Sequence, residues 1–397
     1  MAGGPSEKGI VSDGMMVERV MIIAGEASGD LHGSGVVREL KKRAPGVEVF
    51  GVGGDNMKRE GMKLVYHVKE LSFMGFVEVV SKLPLIRSVE KTLAGLLRFR
   101  RPDLVLLIDF PGFNLRFARH VKNARIPVLY YISPQVWAWG KRRVRKMKKL
   151  IDKMFVVFPF EKEVYEREGV PVEFVGHPLL EALERDKTTN LDRSGFCRRF
   201  GFDPSRRIVG LFPGSRADEV KNHLSVMARA ALILKEKHGI EVGVGMAPNL
   251  PVDLYRDQLM NGEAVHLVEG NTYGLMRHSH TAAVASGTAT VETACLGTPM
   301  VVVYRTSWLS YVIGRLLIRV KNIGMVNILA GRQIVPELVQ RELTVENLVR
   351  ELEAYLIDEG KLQRTKEEFA QVRALLGEPG ASERVVHSIL QWNEHRS

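Results

Sequence analysis

The stretch ASGTATVETACLGTPMVVVYR, residues 285–305, combines the features of a strand end, a turn, a helix and a second strand. It opens on three small residues, carries a single acid through a small and apolar run, and ends in a Val-rich segment. We predict that Ser286-Gly287-Thr288 forms a strand-to-helix turn whose small residues let a diphosphate lie on the helix N-terminus. Glu292 follows a little over one helical turn later, where it could bind vicinal ribose hydroxyls. The alternative is a glutamate that faces solvent.

Outside this stretch, short β-branched runs alternate with amphipathic segments along the chain. Such alternation is typical of βα units and predicts an α/β fold with parallel sheets. A chain of 397 residues exceeds the usual size of one core, so we expect two doubly wound domains that face a cleft, with ligands at the carboxyl ends of their strands. The predicted strands are 20–25, 47–54, 103–110, 127–133, 153–158, 172–176, 207–214, 241–248, 265–270, 281–287 and 299–305, and the predicted helices include 218–238 and 344–357.

Composition limits the class of protein and of partner. The net charge of +11 indicates an anionic partner, and nucleic acid, an anionic membrane and phosphorylated substrates all qualify. The two cysteines have no metal-like spacing and imply neither a disulfide framework nor a zinc site. No signal peptide or long apolar run is evident, so we expect a soluble or peripherally bound protein.

Two further strand ends carry polar residues in the first half of the chain. GEASGDLHGSGV, residues 25–36, follows the first predicted strand, and Ser28 or Asp30 is expected to cap the next helix, leaving N–H groups for an anion or a sugar hydroxyl. The alternative is an ordinary strand–turn–helix corner. In LLIDFPGFN, residues 106–114, Asp109 ends an apolar strand, where partial desolvation raises a carboxyl pKa towards that of a general base. An aspartate that only caps a helix or braces a loop is the alternative.

The segment LFPGSRADEVKNHL turns at Gly214-Ser215 and continues into an acid-rich helix. Arg216 would stand at the helix N-terminus, which is unfavourable for a cation because of the helix dipole. An anionic ligand held by backbone N–H groups and by the guanidinium would remove this conflict. The alternative is that Arg216 pairs with Asp218 or Glu219.

The segment SPQVWAWGKRRVRKMKKLIDKM, residues 133–154, joins Trp137 and Trp139 to a run of cations that includes Arg142 and Arg143. Apolar residues recur there at spacings of three and four, which predicts a helix with a narrow apolar stripe. The stripe consists of Val144, Met147 and Ile151. Such a helix could lie on an anionic membrane surface; the alternatives are a solvated charged face and, less favoured, nucleic-acid binding.

Two other segments, 73–101 and 308–324, mix large apolar residues with cations. Either segment could offer an apolar surface to acyl chains or to a membrane. Helices of the protein core have the same pattern, and for any single residue we favour the core.

Taken together, these motifs resemble those of the lipid-A-disaccharide synthase family. The matching segments follow one another in family order from about residue 20 to 340: GEASGDLHG, GVGGDNM, SFMGFVEVV, IDFPGFN, YYISPQVWAWGKRR, VFPFEKE, FVGHPL, LFPGSR, ASGTATVETACLGTPMVVVYR and VNILAGRQIVPELVQ. The resemblance implies a GT-B glycosyltransferase with two Rossmann-like domains. It places the acceptor mainly on residues 1–177 and the nucleotide sugar mainly on 178–374, with 375–397 packing back on the first domain.

The resemblance implies that UDP-2,3-diacylglucosamine donates its sugar to 2,3-diacylglucosamine 1-phosphate, with inversion, to give the β-1′,6 disaccharide 1-phosphate of lipid A and UDP. It makes Asp109 the candidate base, with Glu26 as a competitor, and Glu26, Ser28 and Gly29 part of an acceptor-side loop. Gly112 occupies a position where family members often carry a second aspartate. Because this departure removes one rival base, Asp109 is favoured as the base.

On the donor side, the resemblance implies that 214–216 and 286–288 bind the diphosphate and that Glu292 binds the ribose. Asn327 and Gln340 match family positions associated with the nucleotide sugar. Neither a cofactor nor a metal is implied, because GT-B enzymes generally stabilise the departing UDP with helix dipoles and cations. The resemblance further implies a cytoplasmic protein bound peripherally to the inner membrane, without nucleic acid, and permits a homodimer.

Two alternative functions remain open from the sequence. Another UDP-sugar enzyme of the same fold, such as a UDP-N-acetylglucosamine 2-epimerase, shares a Ser-Gly plus Glu pattern but has no evident need for the WAWGKRR region. A basic nucleic-acid-binding protein is the alternative from a different class, and it would bind DNA independently of UDP.

Overall fold

A computed structural model describes residues 17–71, 83–134, 141–186, 191–248, 250–259, 265–306 and 322–394, excluding the side chains of 71, 83, 141–143 and 393–394. Within these ranges the chain divides into two compact units. The first comprises the described residues up to Pro178 together with those from Glu378 onward, and the second runs from Leu179 to Gly377.

The first unit is built on a parallel sheet in the order β3-β2-β1-β4-β5-β6-β7. Buried residues of its strands and helices form one core. Its strands are β1 (Arg19–Ala24), β2 (Glu48–Gly53), β3 (Lys63–His67), β4 (Leu104–Ile108), β5 (Val128–Tyr131), β6 (Lys153–Val156) and β7 (Val172–Phe174); its helices are α1 (Ala27–Arg43), α2 (Asp55–Arg59), α3 (Val68–Leu71), α4 (Leu83–Phe99), α5 (Pro111–Asn123), α6 (Lys141–Lys148) and α7 (Pro159–Arg167).

The second unit repeats this plan with a parallel sheet in the order β10-β9-β8-β11-β12-β13 and a separate core. Its strands are β8 (Ile208–Phe212), β9 (Glu241–Gly245), β10 (His266–Val268), β11 (Thr281–Ala285), β12 (Met300–Tyr304) and β13 (Glu337–Val339). Its helices are α8 (Leu179–Arg185), α9 (Arg193–Phe200), α10 (Ala217–His238), α11 (Val252–Arg256), α12 (Thr272–His278), α13 (Thr288–Cys295), α14 (Met325–Ala330), α15 (Val345–Ile357) and α16 (Glu359–Leu375), with a short 3₁₀ turn at Gln340–Glu342.

The predicted fold class, two doubly wound parallel sheets, is confirmed. Each predicted strand segment contains a strand, because strands buried on both faces read as continuous apolar runs. The sequence analysis missed two edge strands, β3 and β13. β3 is only half-buried and β13 is three residues long, so neither has the apolar run by which a central strand is recognised.

The apolar stripe of α6 faces the protein core and not a membrane. Val144, Met147 and Ile151 are each at most 3% exposed and belong to the core of the first unit. The stripe is therefore not available to lipid, because it packs against the core of the first unit. The solvent-facing side of this segment carries four exposed cations: Arg145, Lys146, Lys148 and Lys149.

The other two apolar segments are only partly described. Residues 83–101 include α4, whose Val89, Leu93 and Leu97 are buried in the core of the first unit. Residues 72–82 and 307–321 lie outside the described residues. Each helix that the structure describes is too short or too polar to span a lipid bilayer.

The last helix, α17 (Ala381–Glu394), packs on the first unit against α1. Arg384 Nε donates to the carbonyl of Val175 at 2.8 Å, and Ser388 Oγ donates to Glu173 at 2.9 Å. Ile389 is fully buried. Polar contacts to β7 and its following residue, together with apolar burial, therefore hold this helix in place.

We predict that Ile389→Ala lowers the free energy of unfolding by ~3 kcal/mol, because it removes buried methyl groups and leaves a cavity. Urea denaturation followed by fluorescence measures the loss. Gln391→Ala, on an exposed position of the same helix, is the control and should change stability by less than ~0.5 kcal/mol. Equal effects of the two substitutions would contradict the packing of α17.

Candidate functional site

Asp109 lies directly after β4 in a backbone conformation that side chains rarely adopt. Its φ is 45° and that of Phe110 is 48°, and two such residues in succession are uncommon. The carbonyl of Asp109 accepts hydrogen bonds from Asn114 Nδ2 at 2.7 Å and from Tyr130 Oη at 2.6 Å. The two buried side chains thus hold the turn that presents the Asp109 carboxylate at the carboxyl edge of the sheet.

The environment of Asp109 makes it a stronger base than an ordinary aspartate. Burial and, to a smaller extent, the nearby charge of Glu26 raise the pKa of its carboxyl group to about 6, although a backbone hydrogen bond from Phe110 opposes both effects. Glu26 is the N-cap of α1 and follows β1, which pairs with β4. The two acids that the sequence analysis singled out are therefore close to each other.

The acceptor-side loop is shaped by close packing. A Cβ on Gly25 would lie 2.1 Å from the Phe110 ring, so this ring packs directly on the loop backbone. Gly29 is buried and Ser28 is partly exposed. Asp30 does not cap α1 as predicted: its carboxylate accepts the N–H of Gly54 at 2.6 Å, at the start of α2, and α1 has no side-chain cap.

A second buried carboxylate near Asp109 was not selected from the sequence. Glu161, on α7, is 2% exposed and accepts the Ser133 hydroxyl at 2.6 Å and the N–H of Phe158 at 3.1 Å. Burial raises its pKa to about 7, helped by the charge of Asp109. The quoted segment VFPFEKE contains it, but an acid three residues after the predicted strand 153–158 also fits a helix cap, so sequence reasoning did not favour a functional role.

In the second unit, the predicted diphosphate turn follows β8. Gly214 has a φ of 126°, which glycine tolerates and other residues do not. Arg216 is the exposed N-cap of α10, and its Nη1 lies 3.3 Å from Glu219 Oε1. Glu219 Oε2 also accepts the N–H of Ser215 at 2.9 Å. The pairing with Glu219 that the sequence left open is thus present.

The turn after β11 lies beside the first turn, because β11 pairs with β8. Gly287 is the N-cap of α13 and has a φ of 151°, and both Gly287 and Thr288 are exposed. Ser286 Oγ donates to the carbonyl of Ile323 at 2.8 Å. The Ser286 side chain therefore fixes the turn, while Gly287 and Thr288 remain accessible at the helix start.

Glu292 points towards α12 and accepts a hydrogen bond from Tyr273 Oη at 3.4 Å. The residue is partly exposed, and desolvation of its carboxyl group by burial raises its pKa to about 7. Glu292 therefore contacts α12 rather than solvent alone, and its binding of a ribose stays a prediction.

The side-chain amides of Asn327 and Gln340 differ in their hydrogen bonds. Asn327 is fully buried, and its amide donates to Glu337 at 2.7 Å and accepts the N–H of Ile334 at 2.8 Å. Gln340 follows β13 with a φ of 54°, and its buried Nε2 has no hydrogen-bond partner among the described residues. Asn327 thus shapes a loop, whereas the side-chain nitrogen of Gln340 holds no other group in the described part of the chain.

Four residues were predicted to meet a membrane surface: Trp137, Trp139, Arg142 and Arg143. Trp137 and Trp139 lie outside the described residues. Arg142 and Arg143 belong to α6, and their side chains also lie outside the description. In the described ranges, no group of His, Cys, Asp or Glu side chains comes together in a way that could hold a metal ion.

The model of the lipid-A-disaccharide synthetase family matches residues 20–387. The chain is 43% identical to the lipid-A-disaccharide synthase of Geobacter metallireducens, over 94% of this chain and 97% of that protein. It is 44% identical to the one of Syntrophus aciditrophicus, over 92% of this chain and 95% of that protein. The chain belongs to the lipid-A-disaccharide synthetase family. It is therefore an enzyme, a glycosyltransferase of lipid A synthesis.

Similarity of fold extends to other sugar-nucleotide enzymes. The structure of a UDP-GlcNAc 2-epimerase from Neisseria meningitidis bound to UDP-GlcNAc matches with a TM-score of 0.63 and 17% identity, over 94% of this chain and all of that one. At this identity the likeness shows the fold alone. Membership of the synthetase family therefore decides against the epimerase alternative.

We predict that Glu292→Gln makes stability less dependent on pH. The folded pKa of about 7 exceeds the usual 4.5, so the folded protein keeps a proton that the unfolded chain has lost between these values, and stability falls as the pH rises through that window. Between pH 5 and 8 the free energy of unfolding of the wild type should fall by ~2 kcal/mol more than that of the variant. Parallel curves from urea denaturation would contradict the buried carboxylate.

Proposed function

We propose that this family member transfers 2,3-diacylglucosamine from UDP-2,3-diacylglucosamine to the 6-hydroxyl of 2,3-diacylglucosamine 1-phosphate. The products are the β-1′,6-linked lipid A disaccharide 1-phosphate and UDP. The observation that carries the proposal is membership of the lipid-A-disaccharide synthetase family over residues 20–387. Asp109, a carboxylate at a strand end whose pKa of about 6 suits a base near neutral pH, supports the base role.

In the proposed reaction, Asp109 takes the proton of the acceptor 6-hydroxyl. The hydroxyl oxygen forms a bond to the anomeric carbon of the donor, while the bond from that carbon to the diphosphate breaks on the opposite face. The electron pair of the broken bond leaves with UDP, and the anomeric configuration inverts. Glu26, beside Asp109, is the competing carboxylate, and Ser28 and Gly29 belong to the loop assigned to the acceptor.

The departing UDP needs stabilisation of its negative charge. We assign this to the backbone N–H groups of the turns 214–216 and 286–288 and to Arg216, since a guanidinium can bind phosphate through two hydrogen bonds. Arg216 pairs with Glu219 in the structure. The diphosphate would replace this carboxylate as the partner of Arg216.

The remaining donor-side residues have narrower proposed roles. Glu292 would accept hydrogen bonds from the ribose hydroxyls when ionised. The unpartnered Nε2 of Gln340 would donate to the nucleotide sugar, because a buried donor without a partner is costly until a ligand satisfies it. Asn327 would act by holding the loop at 334–335, since its own hydrogen bonds are used there.

We further propose peripheral association with an anionic membrane surface, the inner membrane, because both substrates carry acyl chains. The net charge of +11 supports this, as do the exposed cations Arg145, Lys146, Lys148 and Lys149. Contacts of Trp137, Trp139, Arg142 and Arg143 with lipid, and a homodimer, stay predictions.

We predict that Arg216→Ala lowers kcat at least a hundredfold, because one donor to the developing charge is typically worth ~3 kcal/mol. Release of UDP from the two acylated substrates, followed in the presence of a chelator, measures the effect. Arg229→Ala, an exposed arginine on the same helix, is the control and should be close to wild type. Near-wild-type turnover of Arg216→Ala would defeat the assignment of the diphosphate site.

We predict that Asp109→Asn lowers kcat/KM by a hundredfold or more, because an amide cannot accept the proton. In the wild type, activity should rise with pH through about 6, since the base must be ionised and its pKa lies there. Asp55→Asn, an exposed acid after β2, should keep this profile. Full activity of Asp109→Asn with an unchanged pH profile would rule out the base role.

A further inference from the structure

His223, on α10, joins the ends of two strands that are not neighbours in the sheet. Its side chain is fully buried. Nδ1 lies 2.8 Å from the carbonyl oxygen of Pro213, directly after β8, and the N–H of Arg305, directly after β12, points at Nε2 at 2.9 Å. The imidazole therefore connects the carboxyl ends of β8 and β12 across the end of β11, which lies between them.

The partners fix the state of the ring. The backbone N–H of Arg305 can only donate, so Nε2 must accept and carries no proton. The carbonyl of Pro213 can only accept, so Nδ1 carries the proton of the neutral ring. Burial lowers the pKa of His223, which keeps the ring neutral, and each nitrogen of this side chain has one assigned partner.

Arg305 extends the connection to a third strand end. Its Nη2 donates to the carbonyl of Gln340 at 3.4 Å and also to that of Leu343. Gln340 follows β13 and has the uncommon positive φ given above. His223 and Arg305 thus form a hydrogen-bonded brace, defined by these two residues, that links the ends of β8, β12 and β13.

The brace lies under the residues to which we assigned the nucleotide sugar. Pro213 directly precedes the turn 214–216, and β11 leads directly into the turn 286–288. Gln340 carries the unpartnered donor. The imidazole of His223 and the guanidinium of Arg305 therefore connect the backbone beside the turn 214–216 with that of Gln340. Their hydrogen bonds cross the end of β11, the strand that leads to the turn 286–288.

We propose that His223 and Arg305 are positioning residues of the nucleotide-sugar site: the brace sets the turn at 214–216 relative to Gln340, so that both can bind one ligand. This inference rests on the proposed function for the location of the ligand. An apolar residue in place of His223 would leave a buried carbonyl and a buried N–H without partners, so the turn would shift to satisfy them. Misplaced N–H groups and a misplaced Arg216 would then bind UDP less tightly.

The test compares two histidines of the same unit. His280 precedes β11 at the opposite edge of the sheet, and its Nε2 lies 3.1 Å from the carbonyl of Tyr355. His223→Leu and His280→Leu each remove an imidazole hydrogen-bonded to a backbone carbonyl, so both should lower Tm. Only His223→Leu should weaken UDP binding, at least tenfold by isothermal titration calorimetry at a temperature where both variants are folded, with the acceptor KM within twofold.

Two further variants keep the inference testable if His223→Leu does not fold. His223→Gln retains one donor and one acceptor, so it should bind UDP more tightly than His223→Leu where both can be measured, and within about fivefold of the wild type. Arg305→Met breaks the brace at the Gln340 end at a partly exposed position, and it should weaken UDP binding at least fivefold.

The outcomes separate this inference from the proposed function. If Arg216→Ala leaves UDP affinity unchanged, the assigned diphosphate site is wrong. If Arg216→Ala weakens binding but His223→Leu and Arg305→Met bind UDP as tightly as His280→Leu does, the site stands and the brace has no positioning role. Weakened UDP binding in His223→Leu and Arg305→Met, with an unchanged acceptor KM, supports the brace.

Discussion

Parallel pairing of strands is the constraint on which the rest of the structure depends. Each described strand pair in both sheets is parallel, so the strands of one sheet all end at the same edge. Residues far apart in sequence therefore meet there. Glu26 and Asp109 are neighbours because β1 pairs with β4, and the turns at 214–216 and 286–288 are neighbours because β8 pairs with β11.

The same edge is where the chain tolerates conformations and charges that the core would not accept. Asp109 has a positive φ and a raised pKa, and both are unfavourable for folding by themselves. Asn114 and Tyr130 compensate by hydrogen-bonding its carbonyl. Desolvation likewise raises the pKa values of Glu161 and Glu292, each to about 7. These acids therefore lower the free energy of unfolding relative to apolar side chains at the same positions. Such a loss of stability is common where residues serve a function.

Sequence reasoning predicted the central strands and the positions of the turns, because apolar runs and the glycines that follow them are local signals. It could not decide whether Arg216 pairs with Glu219, since side-chain partners depend on rotamers. It could not decide what the stripe of α6 faces, because a helix on a sheet and a helix on a membrane share one periodicity. It missed the partners of Asp30 and His223, since each contacts the end of another strand or helix rather than its own neighbours.

We propose that the second unit holds UDP at the carboxyl ends of β8 and β11. A crystal structure of the chain with UDP would show where the nucleotide binds. We expect the diphosphate to lie on the backbone N–H groups of 214–216 and 286–288, with the guanidinium of Arg216 turned from Glu219 to a phosphate oxygen. A nucleotide bound away from both turns, or a diphosphate without contact to Arg216, would rule out this site.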